Sequence, residues 1–405
     1  MVKIGERPGK EPAVRALVLG LAATAAWAGV ASAEIRIGHI YGQTGALEAY
    51  AKQSHTGLML GLEYATDGTM EVDGEPIEVL EYDTQLDPAR GRSLLAEAFG
   101  DDDVQIAVGP VSSGVALAML PVAEEYERIL LVEPAVADSI TGANWNRFIF
   151  RTARNSSQDA IANAVALGGE GVVVATLAQD YAFGRDGVAA FREALAPTGA
   201  TIAHEEYVPT DTTDFTAAAE RIFNAMQDVE ADRKILFIIW VGGANPMSAI
   251  NAMDPGRFDI EIATGGNILP ALKAYKELPG LEGATYYYYE IPDNPVNAWL
   301  VEQHQESFGG PPDFFTAGGM AAGIAIVEAI RKAGGADDTE ALIAAMEGMS
   351  FETPKGTMTF RPEDHQAMQS MYHFRTEVQD GKDYGVPVLV REIMPDEMDV
   401  PIRNQ

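Results

Sequence analysis

The 405-residue chain has no cysteine. That absence excludes thiol nucleophiles, disulfides, thiolate zinc sites, iron–sulfur clusters and acylation of an N-terminal cysteine. Cations are scarce, with 28 Lys and Arg against 60 Asp and Glu, a formal net charge of −32. A chain this acidic repels phosphate backbones and anionic lipid surfaces, so no nucleic acid is expected among its partners. Six histidines are present, and no two stand at helical ligand spacing, so no metal site is expected. Catalytic motifs are missing too. There is no Gly-Lys-Ser/Thr phosphate loop, no Gly-x-Gly-x-x-Gly opening a helix, no His-Glu-x-x-His and no Gly-x-Ser-x-Gly. Gly168-Gly169-Glu170-Gly171 precedes its strand and reads as a helix end followed by a turn. The chain is not expected to be an enzyme or to carry a cofactor.

Long apolar runs are also few. Ala16 to Val30 is one, preceded by Lys3, Arg7, Lys10 and Arg15 and followed by the small-x-small site Ala31-Ser32-Ala33. This is the pattern of a cleavable signal peptide, 1–33, with a mature chain from Glu34. Fifteen residues fall short of the roughly 20 that span a bilayer as a helix. Phe315 to Ile330 is Ala/Gly-rich, contains Glu328 and reads as a buried helix. With no cysteine for a lipid anchor, a soluble periplasmic protein is expected.

What is present is a strand–helix alternation, on a chain that is 47 % hydrophobic and long enough for two or three domains. Strands are predicted at 35–40, 77–82, 106–108 and 129–132, with helices at 88–99 and 114–123 between them. The rhythm restarts beyond Arg151: helix 157–167, strand 172–176, helices 184–196 and 215–226, strand 235–240. Tyr286 to Tyr289 reads as a strand leading out of this second series, and from Gly356 onward the pattern is strand-like and turn-rich. Short buried strands between helices imply an α/β fold with two parallel-sheet lobes.

In doubly wound sheets ligands sit beyond the carboxyl ends of strands. The first such loop carries Gln43 and, beyond it, Tyr50; the third is Gly109-Pro110-Val111-Ser112-Ser113-Gly114. Hydroxyls and free N–H groups at a helix N-terminus suit a carboxylate; the alternative is that one serine only caps the helix.

The order of Gly109-Pro110-Val111-Ser112-Ser113-Gly114, Leu120-Pro121-Val122-Ala123, Glu133-Pro134-Ala135, Phe150-Arg151-Thr152, Gln179-Asp180-Tyr181 and Phe351 to Gly356 resembles the leucine/isoleucine/valine-binding type of periplasmic solute-binding protein. The resemblance covers nearly the whole mature chain. It implies a type I periplasmic-binding clamshell, with two doubly wound lobes joined by a three-crossing hinge. Lobe one is expected at 34–151 plus 285–348 and lobe two at 152–284 plus 349–405, with crossings near Arg151, Tyr289 and Met349. It implies a monomer that captures a small molecule and delivers it to an ABC permease. Ser112, Ser113, Ala135 and Ala137 are then expected at the ligand from lobe one, and Tyr181, Phe183, Asn245, Gly265 and Asn267 from lobe two.

Two departures from the family pattern bear on the ligand. Amino-acid binders place a hydroxyl where this chain has Ala137, and an acid where it reads Thr264-Gly265-Gly266-Asn267. An ammonium buried without an anionic partner costs several kcal/mol. The expected ligand is therefore an aromatic or other hydrophobic carboxylate, with Glu133, Asp138 or Glu290 as the acids that would reverse that choice. A branched-chain amino acid is the alternative ligand, a stand-alone ligand sensor the alternative role, and a secreted hydrolase is a distant third.

Overall fold

The computed structural model describes residues 34–405, so the expected leader and its cleavage after Ala33 lie outside the described residues. The first lobe forms around strands β1 (Ile35–Tyr41), β2 (Glu71–Val72), β3 (Glu75–Asp83), β4 (Ile106–Val108), β5 (Ile129–Val132) and β6 (Ile149–Arg151). They lie side by side in the order β2-β3-β1-β4-β5-β6. All pairs are parallel except the β2–β3 hairpin. β1 sets Ile37 against Val79 on one side and Ile106 on the other. All four residues of β5, Ile-Leu-Leu-Val, are buried, as in a parallel strand covered on both faces. Helices α1 (Glu48–Ala65), α2 (Pro88–Gly100) and α3 (Ser113–Tyr126) supply the connections.

The second lobe begins with α4 (Ser156–Leu167) and β7 (Val172–Gln179), then α5 (Ala182–Leu195) and β8 (Thr201–Val208). It continues through α6 (Thr216–Gln227), β9 (Arg233–Ile239), α7 (Met247–Asn251), β10 (Ile260–Thr264) and α8 (Leu269–Tyr275). Its four strands are all parallel, in the order β10-β9-β7-β8. β8 was not predicted from the apolar pattern. It is the sheet's edge, where Thr201, Ala203, His204 and Glu205 are exposed or half-buried and no continuous apolar run is needed.

β11 (Glu282–Thr285) follows, and the tyrosines 286–289 come after it as bend and turn rather than as the expected strand. α9 (Pro295–Phe308), α10 (Phe314–Ala333) and α11 (Thr339–Met346) return to the first lobe, where Leu300, Ile326 and Leu342 join its core. Among the described residues α10 alone is long and apolar enough to cross a membrane, and nearly all of it is buried inside the protein. The last strands are β12 (Ser350–Thr353), β13 (Gly356–Phe360), β14 (Ala367–Met368), β15 (Met371–Glu377) and β16 (Val386–Ile393). β12, β13 and β14 pair antiparallel, and β15 lies between β11 and β16.

The last strands are shared between the two cores. Phe351, Met358, Phe360 and Ala367 pack in the core of the first lobe, and the Phe360 ring meets Phe150 edge-on. Phe374 and Val386 pack in the core of the second. Beyond these strands Ile393, Met398 and Val400 pack in the first core again, so the segment after residue 349 contributes to both cores.

Candidate functional site

β6 ends at Arg151, and Asn155 starts α4 four residues later. The Asn155 side chain accepts the N–H of Gln158 at 2.8 Å, and Gln158 Oε1 accepts the N–H of Asn155 at 2.9 Å. This reciprocal cap fixes where the helix begins and leaves Arg154 just ahead of it. Arg154 is 7 % exposed. Its Nε donates to Asp159 Oδ1 at 3.1 Å, one turn into α4. Its guanidinium carbon lies 5.3, 5.1 and 5.8 Å from the ring centres of Tyr286, Phe314 and Phe315. Those distances place the cation in an aromatic box, a favourable setting for its charge.

Two cavities meet at this residue. The larger has a volume of about 70 Å³ open to water and the smaller about 20 Å³. One water needs about 10–15 Å³ on that measure, so the larger cavity has room for several. The larger runs along α4 and the ends of β9 and β10, past Asp159, Asn163, Trp240, Gly265 and Asn267. The smaller opens against the first lobe, past Tyr50, Ser113, Val136 and Tyr181. Arg154, Phe183, Val241 and Phe315 line both. A hydroxyl bridges the lobes at the rim: Tyr50 Oη donates to Asn267 Oδ1 at 3.1 Å and accepts the N–H of Gly242 at 3.0 Å.

Beneath the box lies a buried charged layer. Burial pushes the Glu133 carboxyl up to about 7, against the pull of Arg154, while its Oε2 accepts from Thr152 Oγ1 at 3.1 Å. Burial pulls the Lys355 ammonium well down; its Nζ donates to Gln369 Oε1 at 2.6 Å and stands 3.8 Å from the centre of the Tyr286 ring. Burial raises the Asp159 carboxyl, and Arg154 again opposes it.

A chamber between two parallel-sheet lobes, walled by aromatics and holding one ion pair, is built to enclose a small solute. A family model described as periplasmic binding protein matches residues 34–382. The chain belongs to that family. Leu/Ile/Val-binding protein homolog 6 of Brucella suis biovar 1 (strain 1330) is 26 % identical over 382 residues, covering 90 % of this chain and 92 % of that protein. An ABC-type branched-chain amino acid transporter from Rhodopseudomonas palustris CGA009 superimposes with a TM-score of 0.82 at 62 % identity, covering 92 % of this chain and all of that one. A solute binding protein of an ABC transporter from Rhodopseudomonas palustris BisB5, in complex with 3,4-dihydroxy benzoic acid, gives 0.77 at 27 % identity, covering 91 % and 99 %. This periplasmic binding protein is thus a transport component that takes a small ligand to an ABC permease, and it is not an enzyme.

Six of the expected ligand residues line the cavities: Tyr50, Ser113, Tyr181, Phe183, Gly265 and Asn267. Five do not. Gln43 is held away, its N–H on Asp83 Oδ1 at 2.9 Å and its Nε2 on Glu81 Oε2 at 3.3 Å. Ser112 is buried at the start of α3 without a side-chain cap bond and outside both cavities. Ala135 packs in the core, and Ala137 spends its N–H on Ser113 Oγ at 3.2 Å and its carbonyl on Arg151 Nη1 at 2.7 Å. Asn245 turns to the N–H of Met247 at 3.0 Å. Their neighbours Val111, Pro134 and Val136 line the smaller cavity instead.

Arg154, Asp159 and Tyr286 were not among the expected residues. For Arg154 a signal existed: it is one of only 28 cations in the chain and stands two residues past the Phe150-Arg151-Thr152 motif. Of the four consecutive tyrosines, only Tyr286 reaches the larger cavity. Tyr287 donates inward to Asn297 Oδ1 at 2.7 Å, and the Tyr288 hydroxyl meets that of Tyr384 at 3.2 Å.

Proposed function

We propose that this periplasmic binding protein captures a small carboxylate with an aromatic or other hydrophobic body between its lobes, for import by its ABC permease. The observation that carries the reading is the lining of the chamber. Phe183, Trp240, Tyr286, Phe314 and Phe315 supply flat apolar surface, and the one carboxylate among the lining residues, Asp159, already serves Arg154. The three acids that would have reversed the expectation are engaged elsewhere. Glu133 accepts from Thr152, Asp138 accepts the N–H of Ser157 at 2.9 Å and Arg403 Nε at 3.1 Å, and Glu290 pairs with Lys382 at 3.2 Å. None of them lines either cavity. The dihydroxybenzoate complex of the BisB5 protein adds support from a relative.

On this reading Tyr50, Ser113, Tyr181, Phe183, Gly265 and Asn267 contact the solute. The lobes hinge on three passages, near Arg151, near Tyr289 and, rather than near the expected Met349, between Ala367 and Phe374. Export uses residues 1–33 as a cleaved leader, leaving a monomer without a lipid anchor. A branched-chain amino acid is the second reading. It is favoured by the 62 % identical relative and by Asp159, which lines the larger cavity and whose Oδ2 has no hydrogen-bond partner among the described residues.

Calorimetry separates the two. Benzoate and 4-hydroxybenzoate are expected to bind at sub-millimolar concentration, and leucine and valine more weakly. Sub-millimolar leucine with no heat from either benzoate overturns the aromatic-acid reading in favour of the amino acid.

A further inference from the structure

We infer that Arg154 is the anchor for the solute's carboxylate, held from the hinge side of the chamber rather than from the serine loop of the first lobe. The inference deepens the carboxylate reading above and rests on it. Arg154 carries five N–H donors in a planar fork. Nε is committed to Asp159, and among the described residues neither Nη atom has a hydrogen-bond partner. The side chain is more than nine-tenths buried, and it lines both cavities. A buried cation with vacant donors is costly unless an anion completes it. The two Nη groups match the two oxygens of a carboxylate, the geometry in which arginine binds most strongly.

The surroundings prepare the fork for that role. Asp159 fixes it through Nε from one side, and the rings of Tyr286, Phe314 and Phe315 surround it. Those same rings present apolar faces beside the vacant donors, so one residue set receives both the charged end and the flat body of an aromatic acid. The serine loop is less available. Ser112 reaches neither cavity, and Ser113 Oγ already accepts the Ala137 N–H. The anchor also accounts for a cation at a helix start, a position that disfavours positive charge.

The test uses two acids and their neutral amides, benzoate with benzamide and leucine with leucinamide, titrated into the mature protein by calorimetry. The wild type is expected to prefer at least one acid to its amide by about tenfold or more. Arg154→Gln is expected to weaken that acid by about 100-fold and to erase the preference, as loss of two charge-assisted bonds implies. Arg154→Lys, which keeps the charge but not the fork, is expected to lose about tenfold. Ser112→Ala is expected to bind within about threefold of wild type. If wild type prefers an acid and Arg154→Gln binds it within threefold, the anchor is overturned while the carboxylate reading stands. If wild type prefers neither acid to its amide, that reading fails and takes the anchor with it. Should Arg154→Gln not fold, Arg154→Gln/Asp159→Asn removes both charges of the pair, and Arg154→Lys is read beside it. Full retention of the acid preference in the double variant, or wild-type affinity for the acid in Arg154→Lys, overturns the anchor.

Discussion

Along α10, Gly319 and Gly323 meet the backbone of α1, whereas Phe314, Phe315 and Gly318 meet the side chains around Arg154. At the first place the two helices approach until no side chain fits between them. A Cβ on Gly319 would come within 2.8 Å of Leu58 N and nearer still to Ser54 O, and one on Gly57 within 2.8 Å of Met320 N. At the second place the packing is just as dense, but the neighbours are the tips of Glu133 and Tyr286, and a guanidinium with two vacant groups stands beside them. Both regions are buried. The difference is that the seam is closed by backbone against backbone, with the Ser54 hydroxyl left unpaired, while the box holds a guanidinium whose Nη groups have no hydrogen-bond partner among the described residues.

The seam should therefore break first. Gly319→Val is expected to cost about 3 kcal/mol or more, since rigid backbone on the opposing helix cannot give way. Thermal melting checks this, and a loss below 1 kcal/mol would mean that the helices can part at little cost. The next effect depends on pH and belongs to the layer under the box. Glu133 has a folded-state value near 7 against an ordinary 4.5. A carboxyl raised on folding contributes fully below about pH 4.5 and loses that contribution as pH rises through 7. Urea denaturation of wild type and Glu133→Gln should show the wild type losing about 2 kcal/mol relative to the variant between pH 5 and pH 8. A difference that stays constant with pH would place Glu133 in no such role. The smallest effect is expected at Gly318→Ala, where the added methyl meets only side-chain tips. Melting should register about 1 kcal/mol. The ranking of Gly319 above Gly318 is the sharper measurement, because an equal cost at the two neighbouring positions would erase the distinction between seam and box.

Much of the fold was legible from short patterns. The buried runs Ile129–Val132 and Ile235–Ile239 are strands, and the Ala/Gly-rich stretch after Asp313 is a buried helix capped by that residue. β8 escaped because an edge strand needs only part of its surface buried. The tyrosine run misled because four aromatic residues in sequence share β-propensity with a strand, yet here each side chain goes to a different partner. Loops beyond strand ends were legible, and Ser113, Tyr181, Phe183 and Gly265 in them line the two cavities. Ser112 and Ala137, beside them in the same loops, do not, since adjacent residues point to different sides.

The amino-acid sequence by itself determined the alternation of strand and helix and the two parallel-sheet lobes, because periodicity is a property of neighbouring residues. Tertiary structure alone decided that Arg154 sits among Phe314, Phe315 and Tyr286, that Asp159 rather than Glu133 lines the chamber, and that β12 and β13 belong with the first core. Those residues lie far apart along the chain. A charge acquires its role from which distant groups exclude water around it, and that selection is made only when the lobes pack.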